Sequence, residues 1–270
     1  MTQAILCFIG AGNMAGSMIG GLVTSDYAAD RIIACDINQP RLDQLQADFG
    51  IQTQTDINQA VSQADIVILA VKPQVMQSVC RTITQTQHKP LFISVAAGLR
   101  ETDINRWLGG ALPMVRCMPN TPALVAQGAS GLFANSLVSD VQKQQAESIL
   151  QSTGITVWVD TEDQLNAVTA ISGSGPAYFF LFIEALENAA IELGLDKETA
   201  ASLARQTALG AATMAIGKNV VELRQQVTSP GGTTEQAISS FLANDLQSIV
   251  SQATQAAHQR SIELAEQLAQ

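Results

Sequence analysis

The sequence predicts an α/β protein in which a doubly wound parallel sheet is followed by an all-helical region. Three observations lead to this prediction. Short apolar runs alternate with helical patterns in the first part of the chain, a glycine-rich turn follows the first run, and strand-like runs end near Gln164. Strands that alternate with helices are typical of a parallel sheet covered on both faces. We therefore predict an N-terminal domain at residues 1–163 and a helical domain at residues 164–270.

The predicted strands are short runs without polar alternation, as in strands that are buried on both faces. They are residues 4–9, 31–35, 66–70, 91–95, 114–117 and 155–159, the last of which we place at an edge of the sheet. Residues 40–49 have helical periodicity, and Ser139 is the expected N-cap of a helix that ends near Gln151. Residues 177–193 are apolar around most of their circumference, so we expect other helices to surround them.

The composition favours an oligomer that binds neither nucleic acid nor membranes. The 270 residues are 47% hydrophobic and 14% charged, which is apolar for a monomer and indicates surface hidden against a partner subunit. A formal net charge of −10 without Lys/Arg clusters argues against a nucleic-acid face, which needs a basic stripe. Residues 4–23 are uncharged, but glycines interrupt them and no basic segment precedes them, so we predict neither a signal peptide nor a membrane span.

The cysteines lie among apolar residues and lack the spacing of metal ligands; they are Cys7, Cys35, Cys80 and Cys117. We expect buried, reduced thiols, which are typical of a cytoplasmic protein, and no metal site.

A dinucleotide fingerprint follows the first predicted strand. Gly10-Ala11-Gly12-Asn13-Met14-Ala15 has the form Gly-x-Gly-x-x-Ala. The first glycine permits the tight turn, the second lets the backbone approach a pyrophosphate, and the small third residue lets the helix lie against the strand. Backbone N–H groups and the helix dipole then receive the negative charge. This turn predicts a Rossmann-like site for a nicotinamide dinucleotide.

Asp36 ends the second predicted strand, where a carboxylate commonly accepts hydrogen bonds from the adenosine ribose. That position favours NADH, whereas the nearby Asn38 and Arg41 offer donors for the 2′-phosphate of NADPH. Both cofactors stay open, and a solvated turn residue is an equally good interpretation of Asp36.

Two further segments follow strands at the carboxyl edge of the sheet, where ligands bind in this architecture. Ala70-Val71-Lys72-Pro73 places Lys72 near the ribose or pyrophosphate, unless it is an ordinary surface lysine. Asn120 is predicted to hydrogen-bond the nicotinamide carboxamide or its ribose, and the alternative is a turn residue in Asn-Thr-Pro.

Three segments, together with the fingerprint and residues 70–73, resemble the signature segments of the pyrroline-5-carboxylate reductase family in order and separation. They are Cys-Met-Pro-Asn-Thr-Pro at 117–122, Ser-Gly-Ser-Gly-Pro-Ala at 172–177 and Ser-Pro-Gly-Gly-Thr-Thr at 229–234. The resemblance covers nearly the whole chain. It implies reduction of 1-pyrroline-5-carboxylate to L-proline by NADPH or NADH, and a helical dimerisation domain whose dimers assemble further into a ring.

The resemblance also implies roles for individual residues. The substrate-binding residues are Ser174, Val227, Gly231, Gly232 and Thr233, and the catalytic residues are Ser229 and Thr234. The N–H groups of residues 231–233 would bind the substrate carboxylate at a helix start without a basic side chain. Thr234 would face the ring nitrogen, or merely cap the helix.

Pro176 suits the first turn of a helix, so we expect the residues just before it, Ser174 and Gly175, to point free N–H groups outward. These donors suit the nicotinamide or a nearby carboxylate. Alternatively, Ser172 or Ser174 only caps the helix.

The absence of basic residues from one long stretch of the chain supports an imine substrate. Carbonyl reduction generally uses a Lys or His that protonates the developing alkoxide, yet no Lys, Arg or His occurs between Lys143 and Lys197. A pyrroline imine needs less help, because its nitrogen arrives protonated.

Two rivals remain. One is a β-hydroxyacid dehydrogenase or another imine reductase, and the lysine-free stretch counts against the former. The other is a non-catalytic NAD(P)-binding sensor, which would not need the three intact segments.

One departure from the family pattern is that residues 218–223 replace a His-Pro pair found in many members, which puts that loop's part in the substrate pocket in doubt.

Overall fold

The computed structural model describes residues 3–84 and 88–268. Its strands are β1 Leu6–Ile9, β2 Ile32–Cys35, β3 Gln52–Gln54, β4 Ile66–Leu69, β5 Leu91–Ser94, β6 Met114–Met118, β7 Gly128–Ala134 and β8 Gly154–Trp158. Its helices are α1 Asn13–Thr24, α2 Gln39–Phe49, α3 Ile57–Gln63, α4 Pro73–Thr82, α5 Glu101–Trp107, α6 Asp140–Leu150, α7 Gln164–Val168, α8 Gly175–Glu192, α9 Lys197–Ala215, α10 Val220–Gln226, α11 Thr233–Ala243 and α12 Leu246–Leu268.

The strands form one sheet in the order β3-β2-β1-β4-β5-β6-β7-β8. Neighbours are parallel except β6 and β7. The predicted fold class is confirmed, and β8 lies at an edge as expected. The antiparallel pair was not predicted. Only residues 119–127, which include the short turn Thr121–Val125, separate the two strands in the chain, and this is too little for the crossover that a parallel pair needs.

The core lies on both faces of the sheet, because alternate residues of each central strand point in opposite directions. In β1, Leu6 and Phe8 pack on one face, while Cys7 and Ile9 pack on the other. All four cysteines are buried and free. Burial raises the pKa of the Cys35 thiol to about 11, so this thiol stays protonated and inert at neutral pH.

By internal contacts the chain forms two compact units, residues 1–174 with 257–270 (unit 1) and residues 175–256 (unit 2). The predicted domain boundary between residues 163 and 164 stays a prediction, because internal contacts define compact units and not functional domains. The described residues after Gln164 are helices and turns without a strand, as expected. None of the helices in the described residues has the length and apolar character required to cross a bilayer.

Helix α8 is less covered than its sequence predicts. Within unit 2 it packs along α9, and the Phe182 ring lies 6.2 Å from the Phe241 ring of α11. However, Phe179, Phe180 and Leu181 are 69%, 66% and 67% exposed. The expectation that other helices surround it is therefore wrong for the single chain, where the apolar circumference stays open.

Candidate active site

The fingerprint turn is locked against the neighbouring strand. Gly10 has φ +98°, and a Cβ there would lie 2.9 Å from the carbonyl carbon and oxygen of Ala70 and from Cγ1 of Val71. Only glycine fits, since the left-handed conformation and the close approach both exclude a side chain. The turn thus follows β1, residues 70–71 follow β4, and strand order reverses between these strands. Such a switch point is where open α/β sheets bind ligands.

Helix α1 begins directly above this turn with its donors available. Gly12 is the N-cap and contributes no side-chain cap, and no acidic residue lies in the first turn. The N–H groups of Asn13, Met14 and Ala15 therefore lack intrahelical acceptors. A Cβ on Gly12 would meet no atom within 4 Å, so its hydrogen leaves open the space that a pyrophosphate needs. The residues present fit a dinucleotide.

Asp36 braces the fingerprint turn through its side chain. Its Oδ2 accepts from the N–H of Ala11 at 2.7 Å, and its Oδ1 accepts from the N–H of Asn38 at 2.9 Å. Arg41 donates from Nε to the carbonyl of Ala11 at 2.8 Å. These two contacts do not prevent Asp36 from binding a ribose, because a carboxylate oxygen accepts more than one hydrogen bond. Ribose binding by Asp36 stays a prediction. The guanidinium of Arg41 brings a positive charge to the same corner.

Lys72 lies at the N-cap of α4, and Pro73 is its first residue. The lysine side chain is exposed, which suits a flexible cation near the phosphates but equally suits a solvated lysine. Its predicted role stays untested.

Asn120, just beyond β6, faces protein groups. Its side-chain Nδ2 donates to the carbonyl of Ser172 at 3.0 Å, and its Oδ1 accepts from the N–H of Ala129 at 2.9 Å. The side chain is 9% exposed. Sequence alone predicts neither partner, and cofactor contact by Asn120 remains a prediction.

The segment before α8 is not a free helix start. Residues 169–173 form a π-helical turn that continues α7, and the N–H of Ser174 donates to the carbonyl of Thr169 at 2.8 Å. The prediction that Ser174 presents a free N–H group is therefore wrong, because the preceding turn already uses that donor. The half-buried hydroxyl of Ser174 remains available to the substrate role that the family resemblance implies.

The Ser229–Thr234 segment forms a tight turn that leads into α11. The N–H of Gly232 donates to the carbonyl of Ser229 at 3.0 Å, and Gly231 has φ +72°, as a type II turn with proline at its second position requires. The Gly232 N–H is consequently occupied, which corrects its prediction as a carboxylate donor. Gly232 is the N-cap of α11, so the N–H groups of Thr233 and Thr234 lack intrahelical acceptors.

A carboxylate already contacts this helix start. Glu235, in the first turn of α11, accepts through Oε2 from the N–H of Gly231 at 2.8 Å. The sequence analysis missed Glu235, although an acidic residue three positions after an N-cap is a known signal for such a return contact. Val227, also in unit 2, is the exposed C-cap residue of α10.

Comparison with known proteins decides the family. A pyrroline-5-carboxylate reductase of Pseudomonas aeruginosa is 50% identical over 273 residues, a match that covers 100% of both chains. This chain belongs to the pyrroline-5-carboxylate reductase family. The resemblance predicted from the signature segments is thus confirmed.

Solved structures and family models agree with this membership. A pyrroline-5-carboxylate reductase of Coxiella burnetii is 46% identical with a TM-score of 0.94, covering 98% of this chain and 99% of that chain. One from Plasmodium falciparum, solved with NADP bound, is 28% identical with a TM-score of 0.83, covering 98% and 99%. The model of pyrroline-5-carboxylate reductase dimerisation matches residues 162–264, and that of NADP oxidoreductase, coenzyme F420-dependent, matches residues 5–98.

Arg116 is a structural residue of this chain that the sequence analysis missed. It is 8% exposed within β6, and its Nη1 lies 3.0 Å from Oε1 of Glu162. Burial lowers the pKa of the Arg116 guanidinium, while Glu162 acts in the opposite direction. The sequence offered one sign of this role, a single arginine in an apolar strand, since a buried charge requires a partner.

The position that carries a His-Pro pair in many members is taken here by a helix cap. Asn219 accepts through Oδ1 from the N–H of Val221 at 2.9 Å and starts α10. The residues present therefore hold the loop locally through this cap.

Proposed function

We propose that the protein is a pyrroline-5-carboxylate reductase, which reduces 1-pyrroline-5-carboxylate to L-proline with NADPH or NADH. The observation that carries this proposal is the 50% identity over the full length of a relative with that activity in its name. The preformed fingerprint turn and the donors at the start of α11 support the same reaction.

The cofactor is held at the switch point of the sheet. The N–H groups of Gly12, Asn13 and Met14 bind the pyrophosphate at the N-terminus of α1, with Ala15 packed beneath them. Residues 70–73 lie beside the turn, and Asp36 and Arg41 lie at the adenosine end. NAD(P)H supplies the hydride in this reaction.

The imine is held by groups that need no cationic side chain. The N–H groups of Gly231 and Thr233 bind its carboxylate at the start of α11, while Gly232 shapes the turn. Binding at Gly231 displaces the Glu235 carboxylate. Ser229 and Val227, both in unit 2, contribute further contacts to the substrate. Ser174 is the substrate-binding residue that the family resemblance implies in unit 1.

Thr234 faces the ring nitrogen. The imine carbon receives the hydride, and the C=N electron pair moves to the nitrogen, which carries its own proton on arrival. The Thr234 hydroxyl oxygen accepts a hydrogen bond from the N–H of the protonated imine and so orients the ring. As the hydride reaches carbon, a lone pair forms on nitrogen, and the same hydroxyl donates to it and stabilises the charge change. The lysine-free stretch between residues 143 and 197 agrees with chemistry that needs no strong acid.

We also propose that the chain forms a homodimer through unit 2 and that dimers assemble into a ring in the cytoplasm. The exposed apolar face of α8 and the matched dimerisation model support the dimer, because large apolar patches mark interfaces. Buried free thiols support a reducing compartment. Light scattering should give a multiple of the dimer mass, and a monomer would contradict this proposal.

The reaction is tested with the purified chain, 1-pyrroline-5-carboxylate and either NADH or NADPH. We expect oxidation of the cofactor with stoichiometric formation of proline, and the ratio of rates measures cofactor preference. Cofactor binding without proline from either cofactor would refute the reductase assignment and favour a binding role. Faster reduction of NAD⁺ or NADP⁺ by β-hydroxyacids would instead favour the dehydrogenase.

A further inference from the structure

We propose that Asn120 is a positioning residue, which fixes the Ser-Gly-Ser-Gly segment against the carboxyl end of β6 for hydride transfer. The inference rests on the proposed function. It replaces the predicted contact of Asn120 with the nicotinamide by a contact with the protein itself.

The carbonyl of Ser172 has no regular intrahelical hydrogen-bond donor. In an α-helix the carbonyl of Ser172 would accept from the N–H four residues later. That residue is Pro176, which has no N–H. Asn120 supplies the donor instead, with its Nδ2 lying 3.0 Å from the Ser172 carbonyl oxygen.

The amide of Asn120 is oriented by its other end. Its Oδ1 accepts from the N–H of Ala129, the second residue of β7, at 2.9 Å. The carbonyl side must therefore face Ala129 and the amine side must face Ser172. Since Asn120 as a residue is only 9% exposed, losing either contact leaves a polar backbone group without a partner where little water reaches it.

The segment also packs against the end of β6 and is closed by a backbone hydrogen bond of its own. A Cβ on Gly173 would lie 2.7 Å from Cε of Met118, the last residue of β6. The π-helical turn next to it is closed by the Ser174 N–H on the Thr169 carbonyl. Such turns are rare and occur frequently at functional sites.

Together these contacts hold Ser174 relative to the end of the strand where the nicotinamide binds in this architecture. Asn120 thus acts on catalysis through the segment, and the bound cofactor needs no contact with it. Small displacements of a reacting group lower the rate strongly, because hydride transfer requires a near-attack geometry.

The test is Asn120→Asp in wild type and in a Pro176→Ala background. Aspartate keeps the acceptor for Ala129 but places an oxygen against the Ser172 carbonyl, whereas Pro176→Ala restores the missing N–H. We expect Asn120→Asp to lower kcat about tenfold to a hundredfold, with the cofactor Kd unchanged. The primary isotope effect from deuterated NADPH should rise, since hydride transfer becomes slower. In the Pro176→Ala background the loss should be several-fold smaller.

Two results would overturn the proposal. One is a higher cofactor Kd with unchanged kcat at saturation, which would make Asn120 a cofactor ligand. The other is an equal loss in both backgrounds, which would show that Asn120 and Pro176 do not act on the same carbonyl.

A second variant, Asn120→Ser, guards against misfolding of the aspartate variant and should show the same dependence on Pro176. The coupling is also measured in thermal unfolding, which does not require turnover. Absence of proline formation by wild type would therefore refute the proposed function, while additive unfolding effects would refute the role of Asn120.

Discussion

The starts of α1 and α11, the two proposed anion sites, both offer backbone N–H groups, but they differ in their surroundings. The turn before α1 is clamped by the sheet, with Gly10 in contact with Ala70, and no acidic residue lies in its first turn. The turn before α11 is exposed and carries Glu235, whose carboxylate accepts from the N–H of Gly231.

This difference shows two ways of preparing an anion site. At α1 the packing of the turn against the parallel strands fixes the backbone N–H donors in advance. The affinity expected for the cofactor therefore depends on that packing. At α11 the Glu235 carboxylate occupies the N–H of Gly231, so the proposed substrate carboxylate would compete with it. The substitutions below test each half of this comparison, beginning with the largest expected effect.

Gly10→Ala should abolish cofactor binding and destabilise the chain. The strained φ alone costs about 1–3 kcal/mol, and the added Cβ would clash with Ala70. Thermal unfolding and cofactor titration measure the two effects. Gly12→Ala is the matched control, because its Cβ meets open space. It should bind the cofactor poorly yet unfold like wild type, and equal stability of both variants would break the claim that the sheet clamps the turn.

Thr234→Ala should lower kcat about a hundredfold, within the range for removal of a group that assists proton chemistry. The cofactor Kd should stay the same, because the cofactor turn belongs to α1. Steady-state kinetics and cofactor titration separate the two quantities. Thr234→Ser keeps the hydroxyl and should restore most of the rate. Unchanged turnover in the alanine variant would remove Thr234 from the mechanism.

Glu235→Ala should lower KM for 1-pyrroline-5-carboxylate about threefold to tenfold, because a competing hydrogen bond of about 1 kcal/mol disappears. The effect is read from initial rates at varied imine concentration. Glu198→Ala removes an acidic residue from the first turn of α9 and serves as the control for net charge. A raised KM in the Glu235 variant would identify this residue as a simple helix cap.

Arg41→Gln should shift preference from NADPH towards NADH by about twofold to fivefold, the range for a partly solvated charge contact. The ratio of kcat/KM for the two cofactors gives the shift directly. Arg81→Gln on α4 removes an equal charge elsewhere. An identical ratio in wild type and the Arg41 variant would show that Arg41 only braces the turn.

The sheet and the site at α1 were largely predictable from sequence, since both depend on local patterns. Fully apolar runs mark β1, β2 and β4, and the spacing of Gly10 and Gly12 marks the turn. Strand β3 escaped prediction because Gln52–Gln54 is polar, and β7 because Gly128–Ala134 is rich in small residues.

The site before α8 was not predictable, because it depends on contacts between distant positions. The pattern before Pro176 is typical of a helix start, yet α7 and a π-helical turn continue into this position. What satisfies the Ser172 carbonyl is Asn120, fifty-two positions away in the chain. Likewise, the return contact of Glu235 depends on the turn geometry at Gly231 rather than on residue type alone.

The most direct test of this account is a crystal structure of the protein with NADP⁺ and L-proline. We predict the pyrophosphate on the N–H groups of Gly12, Asn13 and Met14. The proline carboxylate should lie on those of Gly231 and Thr233, with Glu235 turned away. A proline carboxylate bound elsewhere, with Glu235 still on Gly231, would contradict the assignment of the α11 start as the substrate site.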